Sequence, residues 1–470
     1  MKKIYRVYKK TVSIVNETSI GMYENLVGDK KGFLLESYDK NYDRFTLFGA
    51  EPEEIITSKG MDGLVINKKD GTKEERKGNP LDILKEYYSE YEIRREEGDT
   101  GFTGGLVGNL GYDFVRYSEA LPDDNPDEIG IETIQMMLMK EFIVVDHVAE
   151  TLTGIVLEED SGEGKKRAIE KASAMIEKAR AKREEEKSVF VQDGKIIKKS
   201  DTLEAYSAKV EKIKHYIREG HIFQTVLSQR WTIETGQKGL DLYRELRELN
   251  PSPYLYYFNF EEFEVIGSSP EMIVKKQDDR VYTVPIAGTR KRGKDDAEDE
   301  RLMEELLADE KERAEHVMLV DLARNDMGRI AKFGTVKVTE FMGIRKYSHV
   351  MHLVSTVEGR KNGNFHPLDL TASFLPAGTL SGAPKIRAME IIDELETVRR
   401  GLYGGATGYI DFNGDMDFCI TIRTMIKKGS KVYLQAGAGI VADSIPENEY
   451  QECCNKVMAL AKTLVEEENL

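Results

Sequence analysis

Short apolar segments recur along the whole chain. The order of these strand-like segments and the helical segments constrains the fold more than any other feature of the sequence. In the first 157 residues, runs such as GFLLES, LVINK and EFIVVDHV alternate with turn clusters such as LPDDNPDE, which is typical of strands. Farther along, runs such as FQTVLSQRWTI and YLYYFNF mix with a few helical segments. This order is neither the regular strand–helix alternation of a parallel sheet nor an all-β pattern. It predicts an α+β fold with large antiparallel sheets flanked by helices.

A charged segment divides the chain into two parts. Residues 163–187 carry their apolar residues on one face, which predicts an amphipathic helix, and the helix ends in the charged run AKREEEK. We therefore expect an N-terminal region of residues 1–190 and a second region of residues 195–466. The second region is predicted to open with a helix that starts at Asp201, by its capping-box spacing, and ends at Gly220.

The composition excludes several classes of function. The chain has 470 residues and a formal net charge of −16, which argues against nucleic acid as a partner because phosphates require clustered Lys and Arg. The three cysteines, Cys419, Cys453 and Cys454, fit neither a disulfide framework nor a zinc pattern. The basic start MKKIYRVYKK lacks a following apolar stretch, and no run is long enough to cross a membrane. We expect a cytoplasmic protein that binds neither nucleic acid nor a membrane.

Two charged segments, KERAEHVMLVDLARNDMGRI and ENEYQECCNKVMAL, have the periodicity of helices. Each carries two glutamates three residues apart, Glu312 with Glu315 and Glu449 with Glu452, so each pair lies on one helical face. Like charges this close repel unless a cation or water lies between them, and Mg²⁺ binds such hard oxygens with only one or two carboxylates. A solvated acidic helix face explains the same pattern, and the residues alone leave both interpretations open.

Three glycine-containing segments are candidates for binding an anion. PIAGTRKRG follows a strand and offers backbone N–H groups beside Arg290 and Arg292, although a turn with solvated arginines fits it equally well. PAGTLSGAPKIRAM places small residues before a helix N-terminus, which favours anions, and it lacks the P-loop pattern. GAGIVA, after the strand KVYLQA, matches a dinucleotide fingerprint, but the following DSIP prevents the helix that the fingerprint requires. Its glycines are expected to let backbone amides contact a carboxylate.

Two further features are ambiguous by themselves. The run GFTGGLVGNLGYDFVR is rich in glycine, and bends between sheet strands are its favoured explanation. His352 lies in the alternating stretch SHVMHLVSTVEG, where it is either a proton donor or a structural residue.

Taken together, the motifs resemble those of chorismate-utilising enzymes, and specifically of the large (component I) subunits of anthranilate synthases. The matching segments, in family order, are IFQTVLSQR, NPSPYLYYF, GSSPEM, PIAGTRKRG, AEHVMLVDLARND, HVMHLVS, LPAGTLSGAPKIRAMEII, GGATGYIDFNGDMDFCITIRT and QAGAGIVADSIPENEYQE. The resemblance is dense over residues 201–465 and thinner toward the N-terminus. It implies an interleaved two-region sandwich of large antiparallel sheets flanked by helices.

The resemblance implies a two-step reaction. Ammonia adds at C2 of chorismate with loss of the C4 hydroxyl, and elimination of pyruvate from the resulting aminodeoxyisochorismate gives anthranilate, the first step of tryptophan biosynthesis. Carried over by motif, Glu315 and Glu452 would bind Mg²⁺, with Glu312 and Glu449 holding its waters. The metal would hold the ring carboxylate of the substrate.

The resemblance also assigns the groups that would contact the substrate. Glu271 corresponds to the general acid for the departing hydroxyl, with Thr289 and His352 beside the reacting ring. The carboxylates and enolpyruvyl arm of chorismate would be bound by Gly288, Thr289, Tyr409, Arg423, Gly437, Ala438, Gly439 and Lys456.

Two positions distinguish the branches of the family. Isochorismate and salicylate synthases, the branches of the family that add water, carry a lysine base where this chain has Gln224. Aminodeoxychorismate synthases carry a lysine where this chain has Ala287. Ammonia needs no base to be nucleophilic, and alanine excludes a covalent lysine route. The residues therefore favour an anthranilate synthase over these two alternatives, and the four glutamates argue against an inactive paralogue.

The resemblance implies an effector and a partner as well. Ser37 in FLLES and the turn Pro251-Ser252-Pro253 match the tryptophan contacts of the family, so we expect an effector pocket for L-tryptophan, separate from the catalytic one. The chain lacks the cysteine-containing and His-Pro-Glu segments of a glutamine amidotransferase. It therefore resembles the subunit that receives ammonia from a separate amidotransferase subunit.

Overall fold

The computed structural model describes residues 2–14, 17–37, 44–96, 101–181, 191–347, 350–466 and 468. The strands in these residues are β1 (Lys3–Ser13), β2 (Gly32–Glu36), β3 (Phe45–Ala50), β4 (Glu54–Ser58), β5 (Gly63–Lys68), β6 (Lys73–Lys77), β7 (Tyr91–Arg94), β8 (Gly105–Leu110), β9 (Ile134–Met139), β10 (Glu141–Asp146), β11 (Thr151–Glu158), β12 (Lys195–Lys199), β13 (Gln224–Glu234), β14 (Tyr254–Asn259), β15 (Glu264–Ser269), β16 (Met272–Gln277), β17 (Arg280–Thr283), β18 (Ile286–Lys291), β19 (Lys337–Lys346), β20 (Val350–Arg360), β21 (Gly382–Ala383), β22 (Ala406–Asp411), β23 (Met416–Ile420), β24 (Thr424–Lys428) and β25 (Lys431–Ile440).

The helices of the same residues are α1 (Ser19–Leu26), α2 (Pro80–Ser89), α3 (Gly162–Ala179), α4 (Leu203–Arg218), α5 (Gly239–Leu249), α6 (Asp296–Ala308), α7 (Glu310–Ile330), α8 (Pro367–Phe374), α9 (Lys385–Leu395) and α10 (Pro446–Ala461). Two short 3₁₀ helices span Tyr112–Tyr117 and Gly378–Leu380. Among the described residues, no helix is both long and apolar enough to span a membrane.

The strands form two large sheets. One contains thirteen of the described strands, in the order β12-β13-β25-β24-β15-β14-β2-β3-β10-β11-β1-β7, with β21 paired to β13. The other contains twelve, in the order β18-β20-β17-β16-β23-β22-β8-β9-β4-β5-β6, with β19 paired to β20. Within the described part of the chain only the β1–β7 pair is parallel, and the other pairs are antiparallel. This confirms the predicted α+β fold with large antiparallel sheets.

The N-terminal and C-terminal parts of the chain share both sheets. Strand β2 pairs with β14 in one sheet, and β8 pairs with β22 in the other. The sheets of the described chain therefore continue across the predicted boundary between the two regions, and the two regions interleave. The division of roles between residues 1–190 and 195–466 stays a prediction, and residues 182–190 lie outside the described part.

The main hydrophobic core lies between the two sheets. Its fully buried side chains include Phe142 and Phe258 from the thirteen-stranded sheet and Leu106 and Phe418 from the twelve-stranded sheet. Apolar side chains that alternate along each strand point toward the facing sheet, and their burial is the dominant stabilising contribution. Helices α1, α5 and α10 cover a second core on the other side of the thirteen-stranded sheet, around Trp231.

Two helix boundaries differ from the sequence prediction. Helix α3 ends at Ala179, short of the predicted 187. The N-cap of α4 is Thr202, whose hydroxyl accepts a hydrogen bond from the N–H of Ala205. The predicted cap, Asp201, instead pairs with Lys209, because a buried carboxylate gains more from a full cation than from one backbone N–H.

The glycines of the run near residue 101 have two structural roles: Gly101 and Gly104 lie in bends before β8, and Gly108 lies within β8. Gly108 of β8 lies opposite Gly408 of β22, and both have φ near +155°, at +154 and +157. A Cβ atom on Gly108 would lie 2.1 Å from the carbonyl oxygen of Gln135, and one on Gly408 would lie 2.0 Å from that of Asp417. The explanation by bends therefore holds for Gly101 and Gly104, and close approach of strands explains Gly108 instead.

Candidate functional site

A large cavity lies beside β25, where the strand next to it ends. Strand β25 pairs with β13 over its whole length, but it pairs with β24 only as far as Leu434. Beyond that residue, the segment Gln435–Ile440 has no second strand beside it in the described residues. The cavity at this gap has a volume of about 840 Å³ and is also bounded by β13, β18, α7, α10 and the 3₁₀ turn at residues 378–380.

Glu271 and Arg423 lie where the chain crosses from one sheet to the other. Glu271 separates β15 of the thirteen-stranded sheet from β16 of the twelve-stranded one, and Arg423 separates β23 from β24 in the opposite direction. Two backbone hydrogen bonds join the crossings: Ile420 N–H donates to the oxygen of Glu271, and Ser268 N–H donates to the oxygen of Arg423. Both side chains therefore line the cavity from adjacent segments.

The carboxyl of Glu271 is set up to hold a proton near neutral pH. Burial raises the pKa of Glu271 from an ordinary 4.5 to about 7, against the opposing effects of Thr379, Arg423 and Lys456. The hydroxyl of Thr379 donates a hydrogen bond to Oε1 of Glu271 at 3.0 Å. A carboxyl with this pKa can donate a proton and can later be reprotonated, which suits general acid catalysis.

His352 and Thr289 lie on neighbouring strands at one side of the cavity. A bulge in β18 between Ala287 and Thr289 exposes the carbonyl of Gly288, which lies 2.9 Å from Nδ1 of His352. Because a carbonyl can only accept, Nδ1 carries the hydrogen and Nε2 is the acceptor in the neutral ring. Burial lowers the pKa of His352, with Arg423 acting in the same direction. The geometry therefore favours a hydrogen-bond acceptor at this position rather than the proton donor considered from the sequence.

Arg423 and Lys456 bring positive charge to the cavity. Burial lowers the pKa of Arg423, and no carboxylate of the described residues forms an ion pair with it. Its φ of +49° is uncommon for a residue with a side chain and marks local strain at the crossing. Lys456 Nζ lies 2.9 Å from the oxygen of Gly437 and 2.7 Å from Oε1 of Glu452. An anionic ligand in the cavity would meet both cations.

Of the four glutamates predicted on α7 and α10 to hold a metal and its waters, one from each helix lines the cavity. Glu315 and Glu452 both line the cavity, while Glu312 and Glu449 do not. Burial raises the pKa of Glu315, and repulsion from Glu312 and Glu452 raises it further. Glu312 also accepts a hydrogen bond from Arg290 at 3.4 Å.

This glutamate arrangement fits a sparsely coordinated metal. In the described ranges, no three or more His, Cys, Asp or Glu side chains are grouped as metal ligands. What remains is a facing pair of carboxylates whose mutual repulsion a cation would relieve, and Mg²⁺ needs no more protein ligands than that. The residues present are therefore compatible with Mg²⁺, and its binding stays a prediction.

The cavity lining contains most of the residues that the sequence assigned to the site. These are Glu271, Gly288, Thr289, Glu315, His352, Arg423, Gly437, Gly439, Glu452 and Lys456, together with Pro251 and Ser252 from the predicted effector site. Gln224 and Ala287, which distinguish the branches of the family, also line it.

Two residues that the sequence assigned to substrate binding do not line the cavity. The ring of Tyr409 packs against Phe102 at a centroid distance of 4.8 Å, because its place in β22 directs it toward the core side of the sheet. Ala438 is fully buried against α4 and α9, since neighbouring residues of β25 point to opposite faces. Tyr403 lines the cavity instead, and no periodic pattern in the sequence indicates it.

The predicted effector segments lie close together, beside the catalytic cavity. Strand β2 pairs with β14 so that Glu36 lies opposite Leu255, which brings Ser37 close to the turn at Pro251. The hydroxyl of Ser37 is buried without a hydrogen-bond partner in the described chain. Pro251 and Ser252 line the same continuous cavity as Glu271, whereas Pro253 and Ser37 do not. The cavity therefore reaches the turn on one side only, and a tryptophan pocket separate from the catalytic one stays a prediction.

Comparisons with known proteins point to one family. Residues 33–462 match the family model described as chorismate binding enzyme. The chain is 44% identical to anthranilate synthase component 1 of Acetivibrio thermocellus, over 99% of this chain and 97% of the relative. It is 42% identical to the protein of the same name from Bacillus subtilis (strain 168), over 97% of this chain and 91% of the relative.

Solved structures agree with the sequence relatives. Anthranilate synthase component I from Streptococcus pneumoniae TIGR4 superposes with a TM-score of 0.79 at 39% identity, over 89% of this chain and 92% of that one. The menaquinone-specific isochorismate synthase of Escherichia coli has a TM-score of 0.72 at 18% identity, over 98% of this chain and 95% of that one, and shares the fold.

Replacing Glu271 with glutamine tests the environment of this carboxyl. Because its pKa is raised from 4.5 to about 7, the stability that its neutral form contributes is lost as the pH rises through that window. Glutamine stays neutral, so we expect the stability of Glu271→Gln relative to wild type to rise by ~1–3 kcal/mol between pH 5 and pH 8. Urea unfolding at both pH values measures this difference.

The matched control is Glu262→Gln, at an exposed glutamate in the same part of the chain. An equal pH-dependent gain in the control, or none in Glu271→Gln, would contradict the role of burial.

Proposed function

Because the chain belongs to the family of chorismate-binding enzymes, and within it to the anthranilate synthase component 1 group, we propose that it forms anthranilate and pyruvate from chorismate and ammonia. The observation that carries the proposal is the cavity beside β25. It combines a proton-holding carboxyl, Glu271, with two cations, Arg423 and Lys456, and a facing pair of carboxylates. A small dicarboxylate with a hydroxyl leaving group matches all three features.

The cations would orient the substrate. Arg423 and Lys456 would each bind a carboxylate, and Gly437 and Gly439 allow the substrate to approach the backbone of β25 closely. A substrate held in one orientation reacts with ammonia bound beside it as if in a unimolecular step, and this accounts for much of the rate enhancement of such reactions.

Glu271 would act on the leaving group. Its protonated carboxyl would give a proton to the C4 hydroxyl, which departs as water while ammonia adds at C2. Thr379 holds one carboxyl oxygen, so the other is available for this transfer. Thr289 and His352 would lie beside the ring, where neutral His352 would accept a hydrogen bond rather than supply a proton.

Mg²⁺ would be held by Glu315 and Glu452, with Glu312 and Glu449 holding water molecules around it. When bound, it would neutralise the carboxylate on the ring and make it electron-withdrawing. Lys456 already neutralises part of the charge of Glu452, with 2.7 Å between Nζ and Oε1.

Two lining residues support ammonia as the nucleophile. Gln224 cannot act as the base that water requires, and Ala287 cannot attack the ring as a lysine would. These residues speak against an isochorismate, salicylate or aminodeoxychorismate synthase.

The assembly is also part of the proposal. The component 1 name of the relatives implies a second component, and we propose a glutamine amidotransferase subunit that supplies ammonia. The three cysteines are free and buried, which supports a reducing, cytoplasmic location. L-tryptophan is proposed as the effector, bound near Ser37 and the 251–253 turn.

The first test is product formation. The purified chain with chorismate, Mg²⁺ and ammonium at high pH is expected to form anthranilate, detected by its fluorescence. Glutamine should replace ammonium only after an amidotransferase subunit is added. Isochorismate, salicylate or aminodeoxychorismate as the product, or use of glutamine by the isolated chain, would overturn the proposal.

The second test concerns the metal. Glu315→Gln and Glu452→Gln each remove an anionic ligand from a site with few protein ligands, so both should abolish activity at ordinary Mg²⁺. Glu312→Gln and Glu449→Gln should lower activity less, by ~10–100-fold. Calorimetric Mg²⁺ titration of each variant gives a readout that does not depend on turnover.

Exposed glutamates on the same helices provide matched controls. Glu310→Gln on α7 and Glu447→Gln on α10 should behave as wild type. Full activity of Glu315→Gln or Glu452→Gln at micromolar Mg²⁺ would eliminate the metal assignment.

The third test concerns regulation. Ser37→Arg should fill the effector pocket and weaken tryptophan inhibition, with uninhibited turnover within a few-fold of wild type. Inhibition requires a coupling of ~1–3 kcal/mol, and by reciprocity chorismate should weaken tryptophan binding by the same factor. Calorimetric titration of tryptophan with and without chorismate measures this coupling, and Ser89→Arg, at an exposed position of α2, is the control. Equal inhibition of wild type and Ser37→Arg would leave the N-terminal strands as scaffold only.

A further inference from the structure

Glu271 faces two cavities rather than one. Besides the large cavity, it lines a smaller one of about 40 Å³. Thr379 and Leu319 also line both, so the hydrogen-bonded pair of Glu271 and Thr379 forms part of the wall between them. The small cavity lies between α7 and the turn at residues 378–380, away from the cations that would hold a substrate.

The small cavity contains a second buried carboxyl. Asp326 of α7 is 5% exposed and lines it. Oδ2 of Asp326 accepts a hydrogen bond from Nζ of Lys385 at 2.8 Å. The side chain of Lys385 is 13% exposed, so this ion pair lies between the cavity and the surface. The remaining lining is mostly apolar, with Thr283 as a further polar member.

The size and polarity of this cavity suit a short chain of water molecules. One water needs roughly 10–15 Å³ of such space, so about 40 Å³ accommodates two or three. Each needs several polar partners, and Glu271, Thr379, Asp326 and Thr283 supply them. A purely apolar cavity of this size would remain dry.

We propose that the small cavity is a proton path through which Glu271 is reprotonated by way of Asp326. The inference rests on the proposed function, in which Glu271 loses one proton per turnover. That proton leaves with the C4 hydroxyl as water, and Glu271 is left as a carboxylate. A proton from solvent then passes by Asp326 and the waters of the small cavity to Glu271, while the nitrogen added at C2 releases one proton to solvent, so the carboxyl is restored and the step consumes no net proton.

The charges around the two carboxyls allow such a transfer. Burial raises the pKa of both groups, opposed at Glu271 by Arg423 and Lys456 and at Asp326 by Lys385 and Arg329. Burial therefore makes each carboxyl easier to protonate than the same group in water. A substrate bound in the large cavity covers that side of Glu271, and the small cavity keeps a second side open.

The test uses the full chain in the ammonia-dependent reaction. Asp326→Asn keeps an oxygen for Lys385 but cannot relay a proton through an acid. We expect kcat to fall ~10-fold, KM for chorismate to change less than ~2-fold, and the D₂O isotope effect on kcat to increase. Asp326→Glu should restore most of the rate.

Filling the cavity tests the same path without changing a charge. Ala323→Leu, or Ala323→Val if the larger residue prevents folding, occupies the water space from α7 and should reduce kcat in the same way. Because both changes block one path, the double variant with Asp326→Asn should lose no more than the worse single variant. The matched control is Ala314→Leu, on an exposed face of the same helix, which should leave kcat unchanged.

The outcomes separate this inference from the proposed function. If the wild type makes anthranilate but Asp326→Asn and the Ala323 variant keep its kcat and isotope effect, the proton path is overturned and the function stands. Additive losses in the double variant would also overturn it, since they indicate independent structural damage. If the wild type makes no anthranilate, both proposals fail.

Discussion

Two antiparallel chain segments that cross between the sheets are the constraint on which the site depends. The segment from β15 to β16 and the segment from β23 to β24 run side by side, paired in one sheet as Gly267 with Thr424 and in the other as Met272 with Cys419. At the crossing, both lose their regular pairing and expose Glu271 and Arg423 to the same space. Because each segment is anchored in a sheet at both ends, the backbones of Glu271 and Arg423 cannot separate without breaking strand pairs.

The same arrangement creates the cavity. Once β24 leaves the edge of β25, the last residues of β25 have open space beside them, and α10 closes that space from one side. Helix α10 supplies Glu452 and Lys456 one turn apart, so a cation and an anion reach the cavity from one rigid element. Fixed charges in a partly buried cavity act on a ligand more strongly than the same charges would in water.

The sequence predicted the type of fold and most of the site, and its failures have physical causes. Helical periodicity located α7 and α10 because each buries one face, and β13 was recognised as a β-rich segment although both of its faces are buried. Asp201 was mistaken for a cap because capping-box spacing cannot reveal a distant partner such as Lys209. Tyr409 was assigned to the site by motif, but which face of a strand a side chain occupies depends on register with its neighbours. Thr379 lay in a quoted motif, yet its bond to Glu271 joins residues 108 positions apart and no local pattern indicates it.

The edge strand β19 has a consequence for how the molecule behaves in concentrated solution. It pairs only with β20 in the described chain, so one side of a ten-residue strand is open to other chains. Its register shifts between Val338 and Glu340 and again before Gly343, and Met342 has a φ of +55°. These bulges break the regular spacing of N–H and C=O groups that a second strand would need to add to the sheet. The ring of Phe341 is exposed on this edge, and the bulges beside it disfavour the addition of a strand from another molecule.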